Sequence, residues 1–109
     1  MSDGPETLER LYQAILDRRT ADPETSYTAK LFQRGRAKIA QKLGEEAVEA
    51  VIAAIGEDRE RMIAEASDLL YHLLVVLEAR GITLAEVEAA LSRRAAQSGL
   101  EEKAARPRD

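Results

Sequence analysis

The chain has 109 residues, of which 45% are hydrophobic and 33% charged, with 16 Lys and Arg against 20 Asp and Glu and a formal charge of -4. That length bounds it to one domain spanning 1–109, the composition excludes a disordered acidic tail, and the negative balance gives no general attraction to nucleic acid or an anionic membrane. Cysteine is absent and His72 is the single histidine, so disulfide scaffolds and thiolate metal sites are excluded and any metal site would have to be built from oxygen.

The residues Met1 to Glu6 are acidic and carry no apolar leader, and no apolar run approaches the roughly 20 residues of a membrane helix, so a cytoplasmic protein is expected. The prolines stand at Pro5, Pro23 and Pro107, and the four aromatics and few β-branched residues disfavour sheet. A mostly helical chain follows. Leu8, Leu11, Tyr12, Ile15 and Leu16 recur at helical spacing and predict a first helix from Thr7 to Arg18. A loop at Thr20 to Thr25 leads to a short turn or helix at Ser26 to Gln33. A long helix from Arg36 to Ile55 stops at Gly56, and another from Asp58 to Arg80 stops at Gly81. Thr83-Leu84-Ala85-Glu86 has the form of a capping box and opens a last helix to Ala96. The tail from residue 99 to 109 is polar and expected to fray. The prediction is an all-α bundle of four principal helices.

Chemistry concentrates on the two long helices. At about 100° per residue, with Glu45 as zero, Lys38 falls at about 20°, Glu49 at about 40°, Lys42 at about 60° and Glu46 at about 100°. Five charges thus share one arc. Ile39, Leu43, Ala47, Val48, Ala50, Val51 and Ile55 occupy the rest and would pack inward or against a partner. Apolar residues from Ala64 to Leu77 surround almost the whole of the next helix, which predicts burial. Yet Glu65, Asp68 and His72 form one polar stripe on it, with Arg61 nearby. Two accounts fit this stripe. Either arginines such as Arg61 pair with the carboxylates, or the stripe faces Glu46 and Glu49 across a divalent cation that relieves their repulsion. An oxygen site on two helices suits Mg²⁺, which keeps waters for substrate phosphates to replace, and Lys38 and Lys42 would meet those phosphates.

The pattern Glu45-Glu46-Ala47-Val48-Glu49, then 15 intervening residues, then Glu65-Ala66-Ser67-Asp68 resembles the acidic motif of the MazG-like, all-α nucleotide pyrophosphohydrolases. Ser26-Tyr27-Thr28, Lys30-Leu31-Phe32, Lys38-Ile39, Lys42-Leu43-Gly44-Glu45-Glu46 and Leu69-Leu70-Tyr71-His72 narrow the likeness, over about Leu8 to Arg94, to the phosphoribosyl-ATP pyrophosphatases of histidine biosynthesis. The resemblance implies Mg²⁺-dependent hydrolysis of phosphoribosyl-ATP to phosphoribosyl-AMP and pyrophosphate. It implies Glu46, Glu49, Glu65 and Asp68 as metal ligands, Glu45 as a further motif acid, and Lys38 and Lys42 beside the phosphates. It also implies a homodimer whose two chains complete the bundle, a nucleotide as partner rather than nucleic acid or membrane, and the stand-alone form without a fused cyclohydrolase. Two alternatives remain open: a housekeeping pyrophosphohydrolase of the same superfamily acting on dUTP, dCTP or a damaged nucleotide, and a non-catalytic helical dimerisation module. His72 is expected to be a structural histidine bonded inside the bundle. Tyr27, Leu31 and Phe32 fit equally well as a cover for a base or as a cap on the core.

Overall fold

The computed structural model describes residues 6–97, and the expected tail at 99–109 lies outside them. Among the described residues the chain is all-α: α1 (Glu6–Arg18), α2 (Tyr27–Arg34), α3 (Arg36–Ile55), α4 (Arg59–Ala79) and α5 (Leu84–Ala95). The four expected principal helices are α1, α3, α4 and α5. The uncertain segment at Ser26 to Gln33 is a helix as well, because the Ser26 side chain accepts a hydrogen bond from the Ala29 amide at 3.1 Å and caps it. None of the described helices is long and apolar enough to cross a membrane.

Local chemistry sets each boundary. Gly35, at φ 96°, both ends α2 and begins α3: its amide donates to the Leu31 and Phe32 carbonyls, and its own carbonyl accepts from Ile39. Asp58 caps α4 by accepting from the Glu60 and Arg61 amides at 3.1 and 3.2 Å. Gly81, at φ 71°, closes α4 in a Schellman arrangement, with Ile82 N–H donating to Leu77 O at 2.9 Å and Gly81 N–H to Glu78 O at 3.0 Å. The capping box at Thr83 is present, with Thr83 N–H donating to Glu86 Oε2 at 3.0 Å and Glu86 N–H to Thr83 Oγ1 at 3.2 Å. Those bonds hold the Glu86 carboxyl below the usual carboxylate range.

The helices α3 and α4 form an antiparallel hairpin that dominates the packing. The core sits at one end of this hairpin, where Tyr12 and Ile15 of α1, Leu31 of α2, Ile39 of α3, Leu74 and Val75 of α4 and Leu84 of α5 meet. Burial pushes the Tyr12 phenol above its ordinary range, and Glu78, which accepts its hydrogen bond and also pairs with Arg19, adds to the shift. At the other end only Ala50 and Ala53 of α3 are buried.

The sequence predicts a buried α4, and the structure corrects this. Only His72, Leu74 and Val75 of that helix are buried, while Ile63, Leu70 and Leu73 are exposed. The reason is simple geometry: α1 and α2 cover only the face of α4 that carries His72, Leu74 and Val75, and among the described residues α3 alone packs against its N-terminal half, which leaves the outer faces open. The apolar arc of α3 divides in the same way, with Ile39 and Ala50 inside and Val48, Val51 and Ile55 exposed. Ile52 joins them, and the four make an exposed stripe at i, i+3, i+4, i+7. The helix α5 is anchored by Leu84 and leaves Leu91 exposed, so one chain does not close a four-helix bundle.

Candidate active site

Glu46 on α3 and Glu65 and Asp68 on α4 come together where the two long helices face one another. Each offers a carboxylate oxygen, and these atoms lie within 4.8 Å of one another. Glu46 and Glu65 are half-buried and Asp68 is exposed, so the site opens to solvent on one side. The spacing makes this possible: Glu65 and Asp68 are one turn apart on one helical face, and Glu46 lies on the α3 arc between the α4-facing residues Ala50 and Ala53.

Glu49 behaves differently. It accepts from Arg61 at 3.0 Å, and the same guanidinium approaches Glu65 at 3.9 Å. Arg61 thus pairs with Glu49 and leans on Glu65, as the salt-bridge account expects, whereas Glu46 and Asp68 take no part in an ion pair among the described residues. Arg61 stands close because it lies one turn before Glu65 on α4.

A second centre adjoins this cluster. Tyr27, Lys30 and Arg34 from α2 and Lys38, Lys42 and Glu45 from α3 line an open cavity of about 140 Å³ with Leu31 beneath. Four cations surround it against one acid. Lys42 Nζ is 3.3 Å from Glu45 Oε1, and Gln41 donates to Glu45 Oε2 at 2.9 Å. The Gln41 bond, followed by Lys42, holds the Glu45 carboxyl below the usual range, and the Glu45 bond raises the Lys42 ammonium above its own. Of the residues implied by the sequence, Lys38, Lys42 and Glu45 therefore share the cationic cavity, Glu46, Glu65 and Asp68 share the acidic cluster, and Glu49 is held by Arg61.

Arg34 does not figure in the sequence motifs, and Lys30 figures there only within the family likeness, with no role at the site. Their signal is the spacing Tyr27, Lys30, Leu31, Arg34, continued by Lys38 and Lys42 across Gly35, which is one helical face interrupted by a turn. Leu31, 3% exposed, belongs to the core. Phe32 is half-buried beneath the Arg19 guanidinium, 5.0 Å from the ring centre, so both residues pack the body of the protein.

His72 is buried, and both ring nitrogens are engaged. Nδ1 lies 2.8 Å from the Asp68 carbonyl oxygen and Nε2 lies 3.1 Å from the Tyr27 hydroxyl. A carbonyl can only accept, so Nδ1 carries the proton. Tyr71 packs edge-on to His72 at 5.0 Å between ring centres and bonds to the Thr28 hydroxyl. Its half-buried position raises the Tyr71 phenol above its ordinary range. Tyr27, by contrast, is 49% exposed.

Residues 8–95 match the family model for phosphoribosyl-ATP pyrophosphohydrolase, a span that runs from the first turn of α1 to the end of α5. The chain is similar to proteins named phosphoribosyl-ATP pyrophosphatase from several bacteria. It is 57% identical over 102 residues to one from Paracoccus denitrificans, covering 94% of each chain. Over 102 residues it is 58% identical to one from Rhizorhabdus wittichii, covering 94% of this chain and 96% of the other. The relative from Methylobacterium nodulans is 59% identical over 102 residues, covering 94% of this chain and 95% of the other. With the match spanning every described helix, this chain belongs to the phosphoribosyl-ATP pyrophosphohydrolase family.

Proposed function

We propose that this chain hydrolyses phosphoribosyl-ATP to phosphoribosyl-AMP and pyrophosphate, a step of histidine biosynthesis, with Mg²⁺ as the working cation. The observation that carries this reading is the adjacency of two opposite charge sets, one where α3 meets α4 and the other where α2 meets α3. Three carboxylates have mutually close oxygens, and one of them, Glu46, stands one turn along α3 from Lys42 in a cavity lined by four cations. Such a pair of sites suits a polyphosphate that is held at one end and hydrolysed beside a metal. The names of the relatives supply the substrate.

The donor set fits a small hard cation. All its atoms are oxygen, and closely spaced carboxylates without a paired cation repel one another unless a positive charge sits between them. Glu46, Glu65 and Asp68 would hold the ion, and Glu49, one turn after Glu46, would join them on release of Arg61. Once bound, the ion supplies a water of lowered pKa and positive charge for the leaving pyrophosphate. The remaining work falls to the chain. Lys38 and Lys42, with Lys30 and Arg34 from α2, bind the phosphate oxygens, and Glu45 aims the Lys42 ammonium by its hydrogen bond. Water adds to phosphorus, a carboxylate of the cluster takes its proton, the α–β phosphoanhydride bond breaks, and pyrophosphate departs.

The exposed stripe on α3 and the exposed Ile63, Leu70 and Leu73 on α4 support the homodimer, in which a second copy covers both. Pyrophosphate release from phosphoribosyl-ATP, with Mg²⁺ and with chelator, tests the activity. Release only with Mg²⁺ is expected. Faster release from dUTP or dCTP would reassign the chain to nucleotide housekeeping, and no release from any of them would leave a salt-bridged helical module.

A further inference from the structure

Tyr27 unites features that a surface tyrosine does not usually share. Its ring is half exposed, yet its hydroxyl is tied inward to a buried histidine at 3.1 Å. The tie has a defined polarity. Since His72 Nδ1–H is committed to the Asp68 carbonyl, neutral His72 offers Nε2 as an acceptor, and the Tyr27 hydroxyl donates to it. The donor ring is held from other sides too: Tyr71 lies against it with ring centres 6.2 Å apart and planes inclined at 30°, and His72 meets it edge-on at 5.9 Å. An exposed aromatic ring that would otherwise be free to turn is thus fixed by one hydrogen bond and two ring contacts.

Its position is equally specific. Tyr27 forms part of the cationic cavity with Lys38 and Lys42, and it also borders a second, larger hollow of about 650 Å³ with Arg18, Ser26 and Thr28. No other described residue lines both. A nucleotide whose phosphates occupy the cationic cavity must carry its base away from the lysines, and the adjoining surface is this ring. Aromatic faces accept any base by stacking, with an energy independent of the lysine contacts.

We propose that Tyr27 is the platform on which the adenine of the substrate stacks, and that His72 is the positioning residue that holds the platform in place. The proposal rests on the nucleotide reading given above and deepens it by assigning the base subsite. Leu31 and Phe32 have no part in it, being packed into the body of the protein.

The test compares two probes in the presence of Mg²⁺: ATP, which carries the base, and inorganic tripolyphosphate, which does not. Tyr27→Leu is expected to weaken ATP binding by about fivefold to a hundredfold, the range for loss of one stacked base, and to leave tripolyphosphate binding unchanged. Tyr27→Phe keeps the ring and should stay within about threefold of the parent. His72→Leu removes the acceptor and should weaken ATP but not tripolyphosphate, whereas His72→Gln, which presents an amide oxygen near the position of Nε2, should recover most of the loss. Calorimetric titration of each variant reads both probes. Equal loss of ATP and tripolyphosphate in Tyr27→Leu would overturn the platform, as would unchanged ATP binding. Failure of the proposed function has a different signature: the parent protein would release no pyrophosphate from phosphoribosyl-ATP while the split between the two probes persisted, and that split would still support the platform.

Discussion

Asp68 and Lys42 separate the roles of the two charge sets most cleanly. Asp68 is exposed and has no cation within ion-pair distance among the described residues, so Asp68→Asn removes one charge from the carboxylate group without stranding a partner. The variant should melt no lower than the parent in chelator, because mutual repulsion in the cluster falls. Added Mg²⁺ should raise the melting temperature of the parent and scarcely move that of Asp68→Asn, since a ligand stabilises a fold only through its affinity for it. Turnover should drop at least about a hundredfold, as several kcal/mol of charge stabilisation are lost. Melts in chelator and in Mg²⁺ check the first two outcomes, and pyrophosphate release checks the third. A destabilised variant together with a parent that ignores Mg²⁺ would contradict the metal site.

Lys42→Ala tests the other set. Loss of one charge-assisted contact at an open cavity should raise KM for phosphoribosyl-ATP about tenfold, while helix content is unchanged because Ala is a strong helix former. The signs of the two pKa shifts add a pH signature. Glu45 is lowered, so it keeps its charge as pH falls toward the ordinary carboxylate range, and Lys42 is raised, so it keeps its charge as pH rises toward the ordinary lysine range. Both stay ionised between about pH 6 and 9, and the KM ratio of Lys42→Ala to parent should be flat across that window. Steady-state kinetics at several pH values check it.

The turn at Gly35 decides how the short helix α2 meets α3. Because φ is 96° there, an L side chain is strained even though a Cβ at this site would meet nothing within 4 Å. Gly35→Ala should therefore cost about 1–2 kcal/mol through the backbone alone. The same change should disturb phosphate binding, since Lys30 and Arg34 stand before the turn and Lys38 and Lys42 after it. Urea unfolding gives the first effect and KM the second. A variant as stable as the parent would mean that the turn relaxes into an ordinary helical conformation. The capped ends at Asp58, Gly81 and Thr83 make the other element boundaries local matters, each set by one or two residues in sequence.

At the scale of the whole molecule the dominant fact is an incomplete interior. Val48, Val51, Ile52 and Ile55 project from α3 to solvent, with Ile63, Leu70 and Leu73 on α4, all outside the packed core around Ile39, Leu74 and Val75. Scattered apolar residues are ordinary on a surface, but seven on two adjoining helices call for a partner. The expected solution state is a dimer with twice the chain mass in light scattering. Ile52→Asp should split it into monomers and lower the melting temperature, because the introduced charge would be buried at the interface. A parent that is monomeric at micromolar concentration would contradict this.

The sequence by itself determined the four longer helices, the capping box at Thr83 and the acidic pair on α4, because these depend on residues within one or two turns of one another. Thr83 with Glu86, and Glu65 with Asp68, are neighbours whatever the rest of the chain does. Several things were decided only by tertiary structure. Arg61 could have neutralised Glu49, Glu65 or Asp68, and it is the meeting of α3 with α4 that hands it Glu49 and leaves Asp68 free. The apolar circumference of α4 read as burial, but burial needs a covering element, and periodicity records only which residues would welcome one. Tyr27 and His72 lie 45 residues apart, and only the packing of α2 on the hairpin brings a hydroxyl to a ring nitrogen and turns an ambiguous aromatic into a fixed one. Spacing along the chain encodes the faces of helices, whereas contact between faces depends on angles and distances that no local pattern contains.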